Sequence, residues 1–288
     1  MKPFTYHAPT TVDEAVAMLE QYQSSCAVVA GGTDVIIELN ERHKTPAHVI
    51  AIDKLSELRY IKEEEGLVKI GALTTFDDLE NDAYVQEHLP ALWETAVHVG
   101  SPQIRNLGTV GGNIVNASVA GDSPTTFLTY GAQVVLKSAG GERVMTIEDF
   151  NKGPGNCAIR PDELLTEIRF PALSGDEAVG YFKIGKRKSL AIVVLAVAIY
   201  IKRTPDNKVE DCRVVLGAVS KHPMRSPELE ALLKGRALTR QSLDDTLPAF
   251  TDAVQAAIPT RPSVVYKREV RGAARRCFDQ IISQFGLA

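Results

Sequence analysis

Apolar residues at Val12, Ala15, Val16, Met18 and Leu19 recur at helical spacing behind Thr11, so residues 11–23 (TVDEAVAMLEQYQ) predict an amphipathic helix with a threonine cap. The short apolar run CAVVA at 26–30 reads as a strand, DVIIELNE at 34–41 as a short helix with Asp34 near its start, and HVIAI at 48–52 as a second strand. That alternation predicts a small βαβ unit with parallel pairing. LVKIGA (67–72) is a further strand, TTFDDLEND (74–82) a capped helix start, and LPALWETAVHVG (89–100) a helix opened by Pro90 and closed by Gly100.

Beyond residue 130 the period shortens to two. AQVVLKSAGGERVMTI (132–147) predicts a hairpin about Ala139-Gly140-Gly141, and ELLTEIRFP (163–171) a strand stopped by Pro171. The small polar link ALSGDEA sets a domain boundary near residue 175. Three strands follow, VGYFKIG, LAIVVLAVAIYIKR and VEDCRVVLGAVS, with the turn TPDNK between the last two. From Ser226 on the period is helical, with caps at Ser226, Thr239 and Thr251. The expected class is α+β: a first domain over residues 1–175, itself two α/β subdomains at about 1–55 and 56–175, then a second over 176–288 of three antiparallel strands plus helices. The 288-residue length agrees, at about 100–200 residues per domain.

Charge changes the picture little. With 32 basic and 36 acidic residues the formal net charge is -4, which gives no footprint for nucleic acid. Basic residues do gather in KIGKRK (183–188) and YKREVRGAARR (266–276), two patches suited to phosphate groups or a partner subunit. The longest apolar run, residues 190–201, is far short of the ~20 residues of a membrane-spanning helix, so no membrane span is expected. The N-terminus carries no apolar signal segment. Cysteines at 26, 157, 212 and 277 are scattered without a C-x-x-C, which fits a reducing cytoplasm and excludes a local iron–sulfur or zinc motif.

Two glycine-rich stretches carry the candidate chemistry. CAVVAGGTDV (26–35) runs from an apolar strand into Gly31-Gly32 and Thr33-Asp34, and GTVGGNIVNASVAGD (108–122) repeats the theme with Gly111-Gly112. A pyrophosphate is held by several backbone N–H groups at once, which requires residues without bulk and with unusual dihedrals. Thr33, Thr109 and Asn113 add side-chain donors, and Asp34 and Asp122 add acceptors for ribose or other hydroxyls. The same residues also read as tight turns, and the second stretch as a glycine-rich loop with Asx turns. Pattern alone leaves both readings open. Gly180-x-x-x-x-Gly185-Lys186 has phosphate-loop spacing, but Arg187 stands where Ser or Thr belongs and the context is a strand; a G-x-G-x-x-G fingerprint is absent.

Three segments, VVAGGTDV (28–35), QIRNLGTVGGNIVNASVAGDSP (103–124) and YFKIGKRKSLAIVV (181–194), resemble the FAD-binding medium subunit of the molybdenum hydroxylases, the xanthine dehydrogenase and carbon monoxide dehydrogenase flavoprotein family. The resemblance extends to the C-terminal RPSVVYKREVRGAARR (261–276), and SVAGDS and KRKSLAI lean towards members acting on N-heterocycles such as purines or nicotinate. It implies a vanillyl-alcohol-oxidase (PCMH)-type flavin fold in which Val28, Val29, Ala30, Gly31, Gly32, Thr33, Asp34 and Val35 wrap the FAD pyrophosphate. Thr109, Gly112, Asn113 and Asn116 match the second loop, Asp122 a residue that binds a flavin-nucleotide hydroxyl, and Lys183 a lysine near the isoalloxazine. Leu164 and Leu165 match an apolar pair on the ring, and Val99 and Gly100 the adenosine side. Val119 departs from the commoner SPAGD, a change of loop shape rather than of donors.

The function so implied is electron transfer. Electrons would come from an iron–sulfur subunit, supplied by a molybdopterin-binding subunit that oxidises the substrate, and leave through FAD to an acceptor such as NAD(P)⁺. No catalytic acid, base or nucleophile and no metal ligand is expected on this chain: the six histidines show no H-E-x-x-H spacing, Ser118 and Ser123 no G-x-S-x-G elbow, and Cys157 reads as structural. KEEEG (62–66) reads as a solvated turn. A stand-alone flavin oxidoreductase of the same fold and a non-catalytic assembly or binding protein are the alternatives, and stoichiometric bound flavin excludes the latter.

Overall fold

A computed structural model describes residues 1–187, 191–259 and 264–287, and of residues 264–268 the backbone alone. Residues 188–190 of the KRKSLAI match, and 260–263 with the side chains of 264–268 from the C-terminal one, lie outside the described residues. In chain order the first elements are β1 (Thr5–His7), α1 (Val12–Tyr22), β2 (Cys26–Val29), α2 (Val35–Asn40) and β3 (His48–Ala51). The hydroxyl of Thr11 accepts from the N–H of Glu14, as its cap position requires. β2 and β3 pair in parallel, and β1 adds a third parallel strand on the other side of β3. β1 is three residues long and mostly exposed, so no alternation marked it in the sequence.

A second sheet follows: β4 (Ile61–Glu64), β5 (Leu67–Gly71), helices α3 (Phe76–Asn81), α4 (Ala83–His88), α5 (Pro90–Val97), α6 (Pro102–Leu107), α7 (Val110–Asn116) and α8 (Asp122–Tyr130), then β6 (Gln133–Ser138), β7 (Gly141–Thr146), α9 (Ile147–Phe150), the small β8 (Asn151–Gly153) and β9 (Asn156–Cys157), and β10 (Leu164–Pro171). Its order is β4-β5-β10-β6-β7, antiparallel throughout, with the expected hairpin between β6 and β7. KEEEG is not wholly a turn: Lys62, Glu63 and Glu64 belong to β4, and the turn is Glu65-Gly66, both at positive φ. The lysine and glutamates misled because β4 is an edge strand whose side chains face water.

The third part holds β11 (Glu177–Gly185), β12 (Val193–Arg203), β13 (Val209–Gly217), β14 (Met224–Arg225), α10 (Pro227–Leu233), α11 (Arg240–Asp244), α12 (Leu247–Ala257) and α13 (Val264–Gln284). The expected three antiparallel strands gain the two-residue β14 as a fourth. Thr239 caps α11 through the Ser242 N–H, whereas Ser226 stands at its helix start without a side-chain cap bond. Thr251 is no cap; it lies inside α12, which begins at Leu247 with a proline in its first turn.

The continuous apolar run of β12 has a physical reason, because this sheet is covered on both faces. Ala196, Ala198 and Tyr200 face the core of the second sheet and its helices, with Tyr181 and Val215. Leu195, Val197, Ile199 and Ile201 face the C-terminal helices, with Phe250, Phe278 and Ile281. α13 lies so close on β11 that a Cβ on Gly180 would stand 2.5 Å from the Cys277 carbonyl oxygen. Gly180→Ala is therefore expected to destabilise the chain by about 1–3 kcal/mol in urea unfolding. Gly140→Ala, whose nearest neighbour is a serine hydroxyl at 3.6 Å, is the control expected to cost far less.

Candidate functional site

The first glycine stretch leaves the parallel sheet at the end of β2 and turns into α2. Gly31 is there for the fold: a Cβ on it would lie 1.6 Å from the carbonyl oxygen of Leu107, the last residue of α6. Gly32 supplies the turn, with φ of 72°. Among the described residues the amides of Gly31, Gly32, Thr33 and Asp34 donate to no protein acceptor, so a row of N–H groups is left available.

The second stretch is not the loop its glycines suggested. Thr109 caps α7, its hydroxyl accepting from the Gly112 N–H at 3.1 Å, and the chain leaves the helix through Ala117 in the left-handed region. Five residues later α8 begins at Asp122. The helix was hidden because glycine is a poor helix former, and tertiary contacts override that preference here. Val110 N–H donates to Thr74 O, Gly111 N–H to Ala72 O and Phe76 N–H to Gly108 O, each at 2.9–3.1 Å. A Cβ on Gly111 would meet Ala72 at 2.7 Å, whereas Gly112 has only its own cap hydroxyl nearby. Gly31 and Gly111 thus serve close packing against neighbouring backbone, while Gly32 makes a turn and Gly112 is crowded only by the Thr109 cap hydroxyl, 2.8 Å from where its Cβ would stand.

Both stretches open on one cavity of about 780 Å³, within the usual range for a small-molecule site. Every residue matched to the flavin family lines it except Val29 and Lys183. Val29 belongs to β2 and pairs with Ala51. Lys183 is turned away: its buried Nζ donates to Asp122 Oδ2 at 2.7 Å and to the His98 carbonyl at 3.0 Å. Asp122, at the first turn of α8, also accepts from the Tyr181 hydroxyl at 3.3 Å. Both its oxygens therefore already have protein partners. Burial pushes its carboxyl upward, and Lys183 and Tyr181 oppose that shift.

The sequence missed several lining residues. Arg160, beside Pro161, places an exposed guanidinium at the cavity, and Lys44 a second cation, which pairs with Glu38 at 2.6 Å. Ile52, Phe76 and the exposed Ile192 extend the apolar wall made by Val99, Leu164 and Leu165. None carries a local signal, since only the fold brings residues 52, 76, 160 and 192 together. Leu164 and Leu165 are held by their neighbour Glu163, which accepts from Arg143 Nε and Nη2 at 2.6 and 2.8 Å and from the Arg160 N–H at 2.7 Å.

Free amides beside glycines, cations at the cavity, hydroxyl and amide side chains and an apolar wall together fit a molecule with a diphosphate, ribose-like hydroxyls and a flat ring system, which is the chemistry of a flavin dinucleotide. Comparison with known proteins agrees. Residues 2–173 match the family model "FAD binding domain in molybdopterin dehydrogenase", and residues 180–281 match "CO dehydrogenase flavoprotein C-terminal domain". The chain is 41% identical to the nicotinate dehydrogenase FAD-subunit of Eubacterium barkeri, over 99% of this chain and 98% of that one. It is 33% identical to the putative xanthine dehydrogenase FAD-binding subunit XdhB of Escherichia coli K12, over 93% and 90%. Among solved structures, a chain of carbon monoxide dehydrogenase from Hydrogenophaga pseudoflava superposes with a TM-score of 0.88 at 31% identity, covering 99% of both chains. The chain belongs to the FAD-binding medium subunits of the molybdenum hydroxylases, oxidoreductase components with an FAD-binding domain.

Glu163 gives this wall a pH signature. Burial raises its carboxyl, but the Arg143 guanidinium and the Arg160 amide outweigh it and hold the folded value below the ordinary 4.5. Its stabilisation is present above the unfolded value and is lost as pH falls through the folded one. Glu163→Gln is expected to lower unfolding free energy by about 1–3 kcal/mol at pH 7, and the difference should shrink as pH falls below 4.5, measured by urea unfolding at both pH values.

Proposed function

We propose that this chain holds one FAD in the cavity between its two glycine stretches and relays electrons within a molybdenum hydroxylase complex. The observation that carries the reading is the row of amides at residues 31–34 that donate to no acceptor among the described residues, in a segment lining the same cavity as Gly112 and Asn116. In it the amides of Gly31 to Asp34 bind the diphosphate, Arg160 neutralises its charge, and Thr109, Asn113 and Asn116 take polar edges of the nucleotide. Leu164, Leu165 and Val99 wall the ring system and exclude water. Bound there, FAD would supply redox chemistry linking one-electron and two-electron carriers, while the protein supplies orientation and electrostatics. Lys183 acts through Asp122, as a fixed countercharge behind the wall rather than as a contact in the cavity.

In this reading the chain divides near residue 175 into a flavin domain and a C-terminal domain. Its partners are an iron–sulfur subunit and a molybdopterin-binding subunit, and electrons leave to an acceptor such as NAD(P)⁺. The 41% identity to a nicotinate dehydrogenase subunit and the 33% identity to a putative xanthine dehydrogenase subunit favour an N-heterocyclic substrate, oxidised on another chain. Four free cysteines support a cytoplasmic place, and among the described residues no helix is long and apolar enough to cross a membrane.

The purified chain should show a flavin absorption spectrum with about one FAD released per chain. Gly112→Val, whose Cβ would stand on the cavity wall 2.8 Å from the Thr109 cap hydroxyl, is expected to lose that spectrum while the far-ultraviolet dichroism stays near wild type. A folded chain that takes up no FAD, or a Gly112→Val variant that keeps it stoichiometrically, sinks the assignment of the cavity.

A further inference from the structure

The cavity has an end that the glycine stretches do not explain. Gln23, Ser24, Cys26 and Ala27 line it before the chain reaches Gly31, together with Leu19 and Ile52. From Cys26 to Gly31 an extended chain advances by roughly 16 Å, at about 3.3 Å per residue. That is the length of an adenosine monophosphate with a hydrogen bond at either end. The apolar wall also changes along the cavity: Leu19, Ile52, Leu73 and Leu164 belong to the core shared by α1 and β3, whereas Val99 and Leu165 belong to the core of the second sheet. A dinucleotide whose diphosphate lies on residues 31–34 therefore has a separate apolar bed for each of its two ring systems, and Gln23 stands beside the one nearer β2.

Gln23 carries a second, independent mark. It follows the last residue of α1 with φ 51° and ψ −137°, which is neither helical nor the left-handed conformation that commonly ends a helix. Glycine is the ordinary residue at such angles, and a side chain there is strained. The surrounding structure holds it: the Gln23 N–H donates to the Leu19 carbonyl, and the Gln23 carbonyl accepts from the Cys26 N–H and, at 3.1 Å, from the Cys26 thiol. None of these bonds uses the side chain, so a glycine would make them all. The exposed side chain donates from Nε2 to the Glu20 carbonyl at 2.8 Å, and among the described residues its Oε1 and second Nε2 hydrogen have no partner. A carboxamide with one acceptor and one donor to spare matches the edge of adenine, where the N6 amine donates beside a ring nitrogen that accepts. The isoalloxazine edge also alternates donor and acceptor, so the test must separate the two halves of the dinucleotide.

We infer that Gln23 is the residue by which the cavity recognises adenine: Oε1 accepts from the N6 amine, and the free Nε2 hydrogen donates to the adjoining ring nitrogen. The inference rests on the reading that the cavity holds FAD. The experiment titrates the full chain, freed of flavin, by calorimetry with FAD, with FMN and with flavin hypoxanthine dinucleotide. In the last a carbonyl oxygen replaces the N6 amine, and the Glu20 carbonyl keeps the Gln23 amide from turning over to suit it. Wild type is expected to bind FAD about tenfold or more tightly than the hypoxanthine analogue. Gln23→Ala should lose about that factor for FAD and bind FAD and the analogue alike, while FMN, which lacks the adenosine, binds the variant as it binds wild type. Gln23→Gly removes the amide and relieves the backbone, so it should show the same loss of discrimination while melting no lower than wild type. A merely structural role for Gln23 would not move the ratio of the two dinucleotide affinities. Wild type that treats FAD and the analogue alike, variants that keep the wild-type ratio, or variants that weaken FMN as much as FAD overturn the inference and leave FAD in the cavity. A folded wild-type chain that takes up neither FAD nor FMN overturns the flavin reading instead, so the two failures are distinct.

Discussion

Gly31 has no side chain because the carbonyl oxygen of Leu107 stands where one would be, 1.6 Å from the position of a Cβ. That contact joins the parallel sheet to the helical layer over the second sheet, and the rest of the site depends on it. It fixes the end of β2 against the end of α6, immediately before the segment in which Thr109 caps α7. Among the described residues the amides after Gly31 then donate to no protein acceptor, and their residues line the same cavity as Gly112. Ligand-binding capacity here follows from packing: glycine is needed where two backbones meet, and unbonded donors are what remains beside the meeting point.

The Asp122–Lys183 pair plays the corresponding part on the far wall. It ties the first turn of α8 to β11, with His98 and Tyr181 completing the hydrogen bonds. A buried ion pair of this kind adds little net stability, because desolvation offsets most of the attraction, yet removal of one partner is costly. Its use is therefore placement. With Lys183 held on Asp122, the wall of the cavity towards β11 carries a neutral pair instead of a free charge. α8 in turn is held at its other end, where Arg213 Nε donates to the Thr129 carbonyl and the guanidinium lies 3.8 Å from the centre of the Tyr200 ring.

Much of the fold was legible because several segments repeat at a clear period. The helix behind Thr11, the parallel β2–β3 pair, the β6–β7 hairpin and, over Val193–Arg203, the strand read from residues 190–203 follow from spacing and caps, residue 190 lying outside the described residues. The failures share one cause. β1 and β4 are short and face water, so alternation is absent; α7 contains two adjacent glycines; Thr251 lies on a helix that had already begun at Leu247. In each case a contact outside the local window decides the conformation, and local propensity differences of about 1 kcal/mol are too small to resist it.

The sequence by itself determined the α+β class, the family and the two stretches that line the cavity, because glycines, caps and apolar runs are local signals. Tertiary structure alone decided what each of those residues does. It separated Gly31 and Gly111, which make room for neighbouring backbone, from Gly32, which turns the chain, and Gly112, which opens on the cavity. It turned Lys183 onto Asp122 and brought Arg160 and Ile192 to the cavity. The physical reason is the same throughout: a donor, a charge or a bare backbone takes its role from what stands within a few ångströms of it, and those neighbours come from distant parts of the chain.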